Sequence, residues 1–130
     1  MNRQYDDKKY PLQNKSYEII GICMEVHRIL GKGFLEIVYK DALEYEFDVR
    51  GIPYEREKRY EVPYKEIILP HKFQADFVVF DDIILEVKAQ KGIVDEHYKW
   101  VINYLAISKC QLGLIVNFGE DSLVTKRLVL

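Results

Sequence analysis

Apolar residues recur at helical spacing through Ile19, Ile20, Ile22, Cys23, Val26, Ile29 and Leu30, which predicts a first helix after a polar arm ending near Asn14. Asn14 or Ser16 is suited to cap its start, and Gly31 and Gly33 supply the backbone freedom that ends it. A second helix is expected almost at once, from about Phe34 to Arg50, closed by Gly51 and Pro53. From Tyr54 to Lys88 the period falls to two, in short runs around Tyr60 to Tyr64, Ile67 to Leu69, Phe73 to Phe80 and Ile83 to Lys88. These read as strands of a meander. Helical spacing returns from about Val94 to Lys109, through His97, Tyr98, Val101, Tyr104 and Leu105. The run LGLIVNF, Leu112 to Phe118, suits a strand covered on both faces, and Val124 to Leu130 adds an edge strand. This order predicts an α/β fold, a sheet packed by helices with a crossover through the third helix.

Composition narrows the function classes. Of 130 residues, 48% are hydrophobic and 31% charged, enough to fold by burial as one domain over residues 15–130 behind a polar arm at 1–14. The formal net charge of −2 removes overall basicity as an argument for nucleic-acid binding and leaves only local patches to carry it. Cys23 and Cys110 stand alone, without the pairing that zinc requires. No apolar leader or membrane-length run occurs, so a cytoplasmic location and no membrane contact are expected.

The chemistry gathers in two neighbouring strands. Side chains alternate on a strand, so Glu86 and Lys88 share a face. Asp76 interrupts the apolar run QADFVVF, where an unpaired carboxylate would cost several kcal/mol. It needs a partner, either Lys88 or a hard divalent ion held by one or two carboxylates and water. In the plainer alternative, Glu86 and Lys88 are a solvated charge pair and Asp76 bonds to Lys88. A shared site also constrains register. A two-residue hairpin at Asp81-Asp82 would set Asp76 against Val87, on the opposite face from Glu86. A three-residue loop or a bulge is therefore predicted.

The stretches GFLEIVY, QADFVVFDDIILEVKA, NYL and GLIVNFG together resemble the GxxExxY proteins, a family of the PD-(D/E)xK nuclease-like superfamily, from about Tyr17 to Arg127. Gly33, Glu36 and Tyr39 match the naming motif, Asp76 the first acid, and Glu86 with Lys88 the (D/E)xK. The resemblance implies a restriction-endonuclease-like core, with a central mixed β-sheet flanked by helices. It further implies a phosphodiester hydrolase using Mg²⁺ or Mn²⁺, with Asp76 and Glu86 as metal ligands, Lys88 acting on water or charge, and Glu36 as an outlying acid. Its implied partner is nucleic acid, DNA first, and analogy with small nucleases adds a homodimer.

Glu36 has a second reading, since a carboxylate in a first helical turn is favoured by the dipole alone. Tyr39 reads equally as a core aromatic. Where relatives carry a Gln four residues before the Tyr of NYL, this chain has Trp100, while Gln90 lies two residues beyond Lys88 and could offer an amide. Lys91, His97 and Lys99 flank the cluster as candidate nucleic-acid contacts. Against the nuclease stands a module that kept the fold and lost catalysis, binding nucleic acid or protein.

Overall fold

The computed structural model describes residues 12–130. Helices α1 (Gln13–Leu30) and α2 (Glu36–Arg50) precede β1 (Tyr54–Tyr60), a small hairpin of β2 (Pro63–Tyr64) and β3 (Ile67–Ile68), then β4 (Phe73–Val79) and β5 (Ile83–Lys88). Helix α3 (Asp95–Ser108), β6 (Leu112–Asn117) and β7 (Val124–Leu128) complete the order. The main sheet has five strands in the order β1-β4-β5-β6-β7. Only β5 and β6 run parallel, and α3 is the crossover that joins them. The expected α/β architecture, a mixed sheet flanked by helices, is what forms.

Each face of the sheet is covered. Ile19, Ile22, Val26, Leu43 and Phe47 of α1 and α2 pack on Phe77, Val79, Leu85, Val87, Leu114 and Val116. On the other face Val101, Tyr104 and Leu105 of α3 pack on Ala75, Val78, Ile84 and Ile115. Gly113 lets α3 approach closely, because a Cβ there would lie 2.4 Å from Cγ1 of Val101. β6 is buried throughout, as its apolar run predicts.

Three expectations need correction. Helix α1 starts at Gln13 with Leu12 at the N-cap (φ 59°), so Gln13 and Asn14 are helical instead of part of an arm. Neither Asn14 nor Ser16 is the cap; the buried Ser16 hydroxyl turns back to donate to the Gln13 carbonyl at 2.9 Å. The rest of the arm lies outside the described residues. Helix α2 starts at Glu36, two residues later than expected, because Gly33 (φ 113°) leaves Phe34 and Leu35 to complete the turn. The run Tyr60 to Tyr64 is not one strand: β1 occupies Tyr54–Tyr60, and Pro63 falls in the separate hairpin. The half-buried positions of β1 are Tyr54, Arg56, Lys58 and Tyr60, whose long stems cover apolar surface while their polar ends reach solvent. Arg56 lies over the Phe77 ring at 5.9 Å.

Candidate active site

The β4–β5 ladder pairs Val79 with Ile83, Val78 with Ile84 and Phe77 with Leu85, around a three-residue loop of Phe80, Asp81 and Asp82. Phe80 and Asp81 take left-handed conformations (φ 56° and 60°) to make that turn. This is the register the shared site requires, since the next facing pair is Asp76 with Glu86. There the ladder stops. The Asp76 N–H donates to Oε1 of Glu86 at 3.0 Å, and the Val87 N–H donates to Oδ2 of Asp76 at 2.8 Å. Two carboxylates have replaced backbone carbonyls as the acceptors between strands.

The same position is irregular on the other side. The β1–β4 ladder pairs Arg56 with Phe77 and Lys58 with Ala75 but skips Glu57, which faces Asp76 and sits at φ 56°. Core contacts of β4 change face here. Phe77 and Val79 pack toward α1 and α2, whereas Ala75, an odd-numbered residue like them, packs toward α3. A local break of pleat at Asp76 thus opens the sheet for its carboxylate, as bulged strands do near functional sites.

Lys40 of α2 reaches into the opening. Its ammonium donates to Oδ1 of Asp76 at 3.0 Å and to Oε1 of Glu57 at 3.2 Å, and only 7% of the residue is exposed. Burial works against its charge, but Asp76 and Glu57 outweigh that and hold its pKa above the ordinary lysine value. Neither Lys40 nor Glu57 stands among the candidates the sequence offers. The available signal was spacing: Lys40 follows Glu36 by four, on the same helical face.

Glu86 is 5% exposed, and burial together with the Asp76 charge pushes its carboxyl up to about 8, against the Asp76 N–H bond and the Lys88 charge. Burial also raises Glu36, with Asp76 adding to the rise and Lys88 and Lys40 opposing it. Glu36 therefore belongs to the same electrostatic cluster. Lys88 acts on Glu86, Glu36 and His97. Among the described residues no carboxylate lies within 4.0 Å of its ammonium, unlike that of Lys40. Asp76 thus pairs with Lys40, not with Lys88 as the plainer alternative has it.

The other candidates separate. Tyr39 is fully buried; its hydroxyl donates to the Gly31 carbonyl at 2.6 Å and accepts the Phe34 N–H at 3.2 Å, while its ring stacks on Phe118. It fixes the turn that delivers Glu36. Gln90 is held through its backbone: its N–H donates to Oδ1 of Asn117, and its carbonyl accepts from Nδ2 of Asn117, both at 3.0 Å. His97 of α3 is buried and accepts the Val94 N–H on Nδ1, and burial followed by Lys88 lowers its pKa. Lys91 lines a cleft beside Gly119 and Glu120, whereas Lys99 and Trp100 line another on α3. Tyr104, absent from the sequence candidates, donates to the Gln74 carbonyl at 2.7 Å, and burial together with the charges of Glu86 and Asp76 raises its pKa.

A sheet that breaks its pleat to seat two acids, with a lysine two residues beyond the second, is the core of a nuclease-like fold. The chain belongs to the PD-(D/E)XK nuclease superfamily: a family model of that description matches residues 13–128. No curated protein matches the chain. The solved structure of SSO0001 is similar in fold, covering 98% of this chain and 69% of its own, with a TM-score of 0.56 at 17% identity.

Nucleases of this superfamily generally use divalent metals, and the donor set here fits one in a particular way. Among the described residues no three His, Cys, Asp or Glu side chains gather into a closed cage. Asp76 and Glu86 bring hard carboxylate oxygens together across the two strands, the donor type Mg²⁺ takes, with Oδ1 and Oδ2 of Asp76 already accepting from Lys40 and Val87 and Oε1 of Glu86 from the Asp76 N–H. Burial first and the Asp76 charge second disfavour a negative charge on Glu86, with Lys88 opposing them in part.

Proposed function

We propose that the protein is a divalent-metal-dependent nuclease that hydrolyses phosphodiester bonds in DNA, with Mg²⁺ or Mn²⁺ held by Asp76 and Glu86. The observation that carries this reading is the replacement of the β4–β5 ladder by two carboxylates at Asp76 and Glu86, with Lys88 beside them and no carboxylate among the described residues within 4.0 Å of its ammonium. When bound, the ion supplies Lewis acidity toward phosphate and water. The chain's own residues do the rest. Val87 and Lys40 fix both oxygens of Asp76, and the Asp76 N–H orients Glu86. Lys88 orients the attacking water and offers positive charge where negative charge grows on the phosphate. Glu36 is an acid at the margin of the same cluster. The narrower GxxExxY assignment, a single nuclease-like domain over residues 15–130, a homodimer as the acting form and a cytoplasmic setting belong to this proposal.

A second reading has its own observation. Lys40 already gives Asp76 a cationic partner, and Trp100 stands where relatives carry an amide, as in a module that has lost catalysis and kept nucleic-acid or protein binding. Incubation with plasmid, linear duplex, single-stranded DNA and RNA in Mg²⁺ or Mn²⁺ decides between them. The nuclease reading expects cleavage that a chelator abolishes and that Lys88→Ala reduces about a hundredfold. No cleavage by a folded, metal-bound protein would favour the module.

A further inference from the structure

Trp100 is the only tryptophan of the chain, and it is 42% exposed. It belongs to an aromatic cluster that joins α3 to the start of β4. Its ring lies at 5.9 Å and 29° from His71, at 5.4 Å edge-on to Phe73, and at 6.3 Å from Tyr104. His71, Phe73 and Trp100 line a cleft of about 280 Å³ together with Glu96, Lys99 and Asn103. Exposed tryptophan is costly to leave in water, and here its neighbours hold the ring instead of covering it.

The cleft is tied to the strand that carries Asp76. Tyr104, four residues after Trp100 on α3 and 6.3 Å from it ring to ring, donates its hydroxyl to the Gln74 carbonyl at 2.7 Å, two residues before Asp76. Trp100 therefore rises from the stretch of helix anchored to that strand. Along β4, Phe73 precedes Asp76 by three residues, about 10 Å at 3.3 Å per residue. That is a few nucleotide steps of a stacked strand at about 3.4 Å each.

We propose that this cleft is a stacking subsite for an unpaired base of a single nucleic-acid strand, whose backbone then runs toward Asp76 and Glu86. The inference deepens the nuclease reading and rests on it for the position of the scissile phosphate. Its chemistry suits a nucleotide: a flat aromatic surface for the base, the Oδ1 of Asn103, whose Nδ2 donates to the Lys99 carbonyl at 3.0 Å, for its edge, and the Lys99 ammonium for phosphate. Lys99 has no carboxylate within 4.0 Å among the described residues. Glu96, the acid of the lining, sits in the first turn of α3, where the helix dipole already favours it. A base inside a duplex cannot present its face to Trp100, so the subsite selects single strands or frayed ends.

The test uses tryptophan fluorescence, which in this protein reads Trp100 alone. With chelator present to prevent cleavage, the protein is titrated with a dT12 oligonucleotide, an abasic strand of equal length, and a blunt duplex. The subsite predicts saturable quenching by dT12 and little by the other two. Anisotropy of a labelled dT12 then compares Trp100→Phe, expected to bind within a few-fold of wild type, with Trp100→Leu, expected to bind about tenfold more weakly. Both variants are checked for fold by circular dichroism. Equal affinity for dT12 and the abasic strand without quenching, or quenching by an apolar peptide alone, overturns the subsite. Metal-dependent cleavage measured on the same preparations keeps the two ideas apart. Cleavage without quenching rejects only the subsite, and quenching without cleavage rejects only the nuclease.

Discussion

The backbone N–H of Asp76 donates to the side chain of Glu86 at 3.0 Å, so the first acid of the site holds the second through its main chain. Glu86→Gln keeps an acceptor for that N–H, whereas Glu86→Ala leaves it unpartnered in a buried setting, at a cost of about 1–3 kcal/mol. Without metal, Glu86→Gln is expected to be at least as stable as wild type and Glu86→Ala less stable by that margin. Urea unfolding in chelator measures both, and equal destabilisation of the two variants would show that the bond to Asp76 contributes nothing.

The raised Glu86 carboxyl sets a pH dependence. The folded chain keeps its proton up to about pH 8, whereas the unfolded chain releases it near 4.5. Between those values the unfolded state binds fewer protons, so this group's stabilising contribution is full below pH 4.5 and is lost as pH rises toward 8. In chelator, wild type should lose stability relative to Glu86→Gln across this window. A constant difference between the two from pH 5 to 8 would contradict the raised value.

Lys40 compensates the charge of Asp76 and Glu57 from a position almost closed to solvent. Lys40→Met keeps the stem and removes the charge, and breaking such a pair costs about 3 kcal/mol in the metal-free protein. Added Mn²⁺ should restore part of that loss, because the ion supplies the missing positive charge. Thermal melts with and without Mn²⁺ show this, and a variant as stable as wild type without metal would mean that Lys40 is incidental.

Tyr39 acts at a distance from chemistry. Tyr39→Phe should cost about 1–2 kcal/mol, because the Gly31 carbonyl and the Phe34 N–H both lose a partner. The ring and its stacking on Phe118 stay, so any cleavage activity should persist near the wild-type rate at low temperature. A large loss of rate in a fully folded variant would instead place the hydroxyl in the site.

Much of this was legible in the chain because two constraints are strict. The ten-residue separation of Asp76 and Glu86 permits a shared site only with a three-residue loop or a bulge, and the three-residue loop is what forms. The period changes at Tyr54 and Val94 mark the sheet and its crossover helix. What escaped was written in amphipathic residues. β1 hides its half-buried side behind Arg56 and Lys58, whose letters read as polar while their stems pack. Lys40 is buried only because Asp76 and Glu57 arrive from strands far along the chain; its spacing of four from Glu36 marks the helical face but not these partners. The left-handed Glu57 opposite Asp76 is likewise a tertiary effect, since nothing in YEREKRY favours positive φ there.

The central claim is that Asp76 and Glu86 form a cation site, and a calorimetric Mn²⁺ titration tests it most directly. Wild type should bind saturably, and Asp76→Asn and Glu86→Gln, each folded by circular dichroism, should lose that binding. Equal affinity in all three proteins would contradict the account.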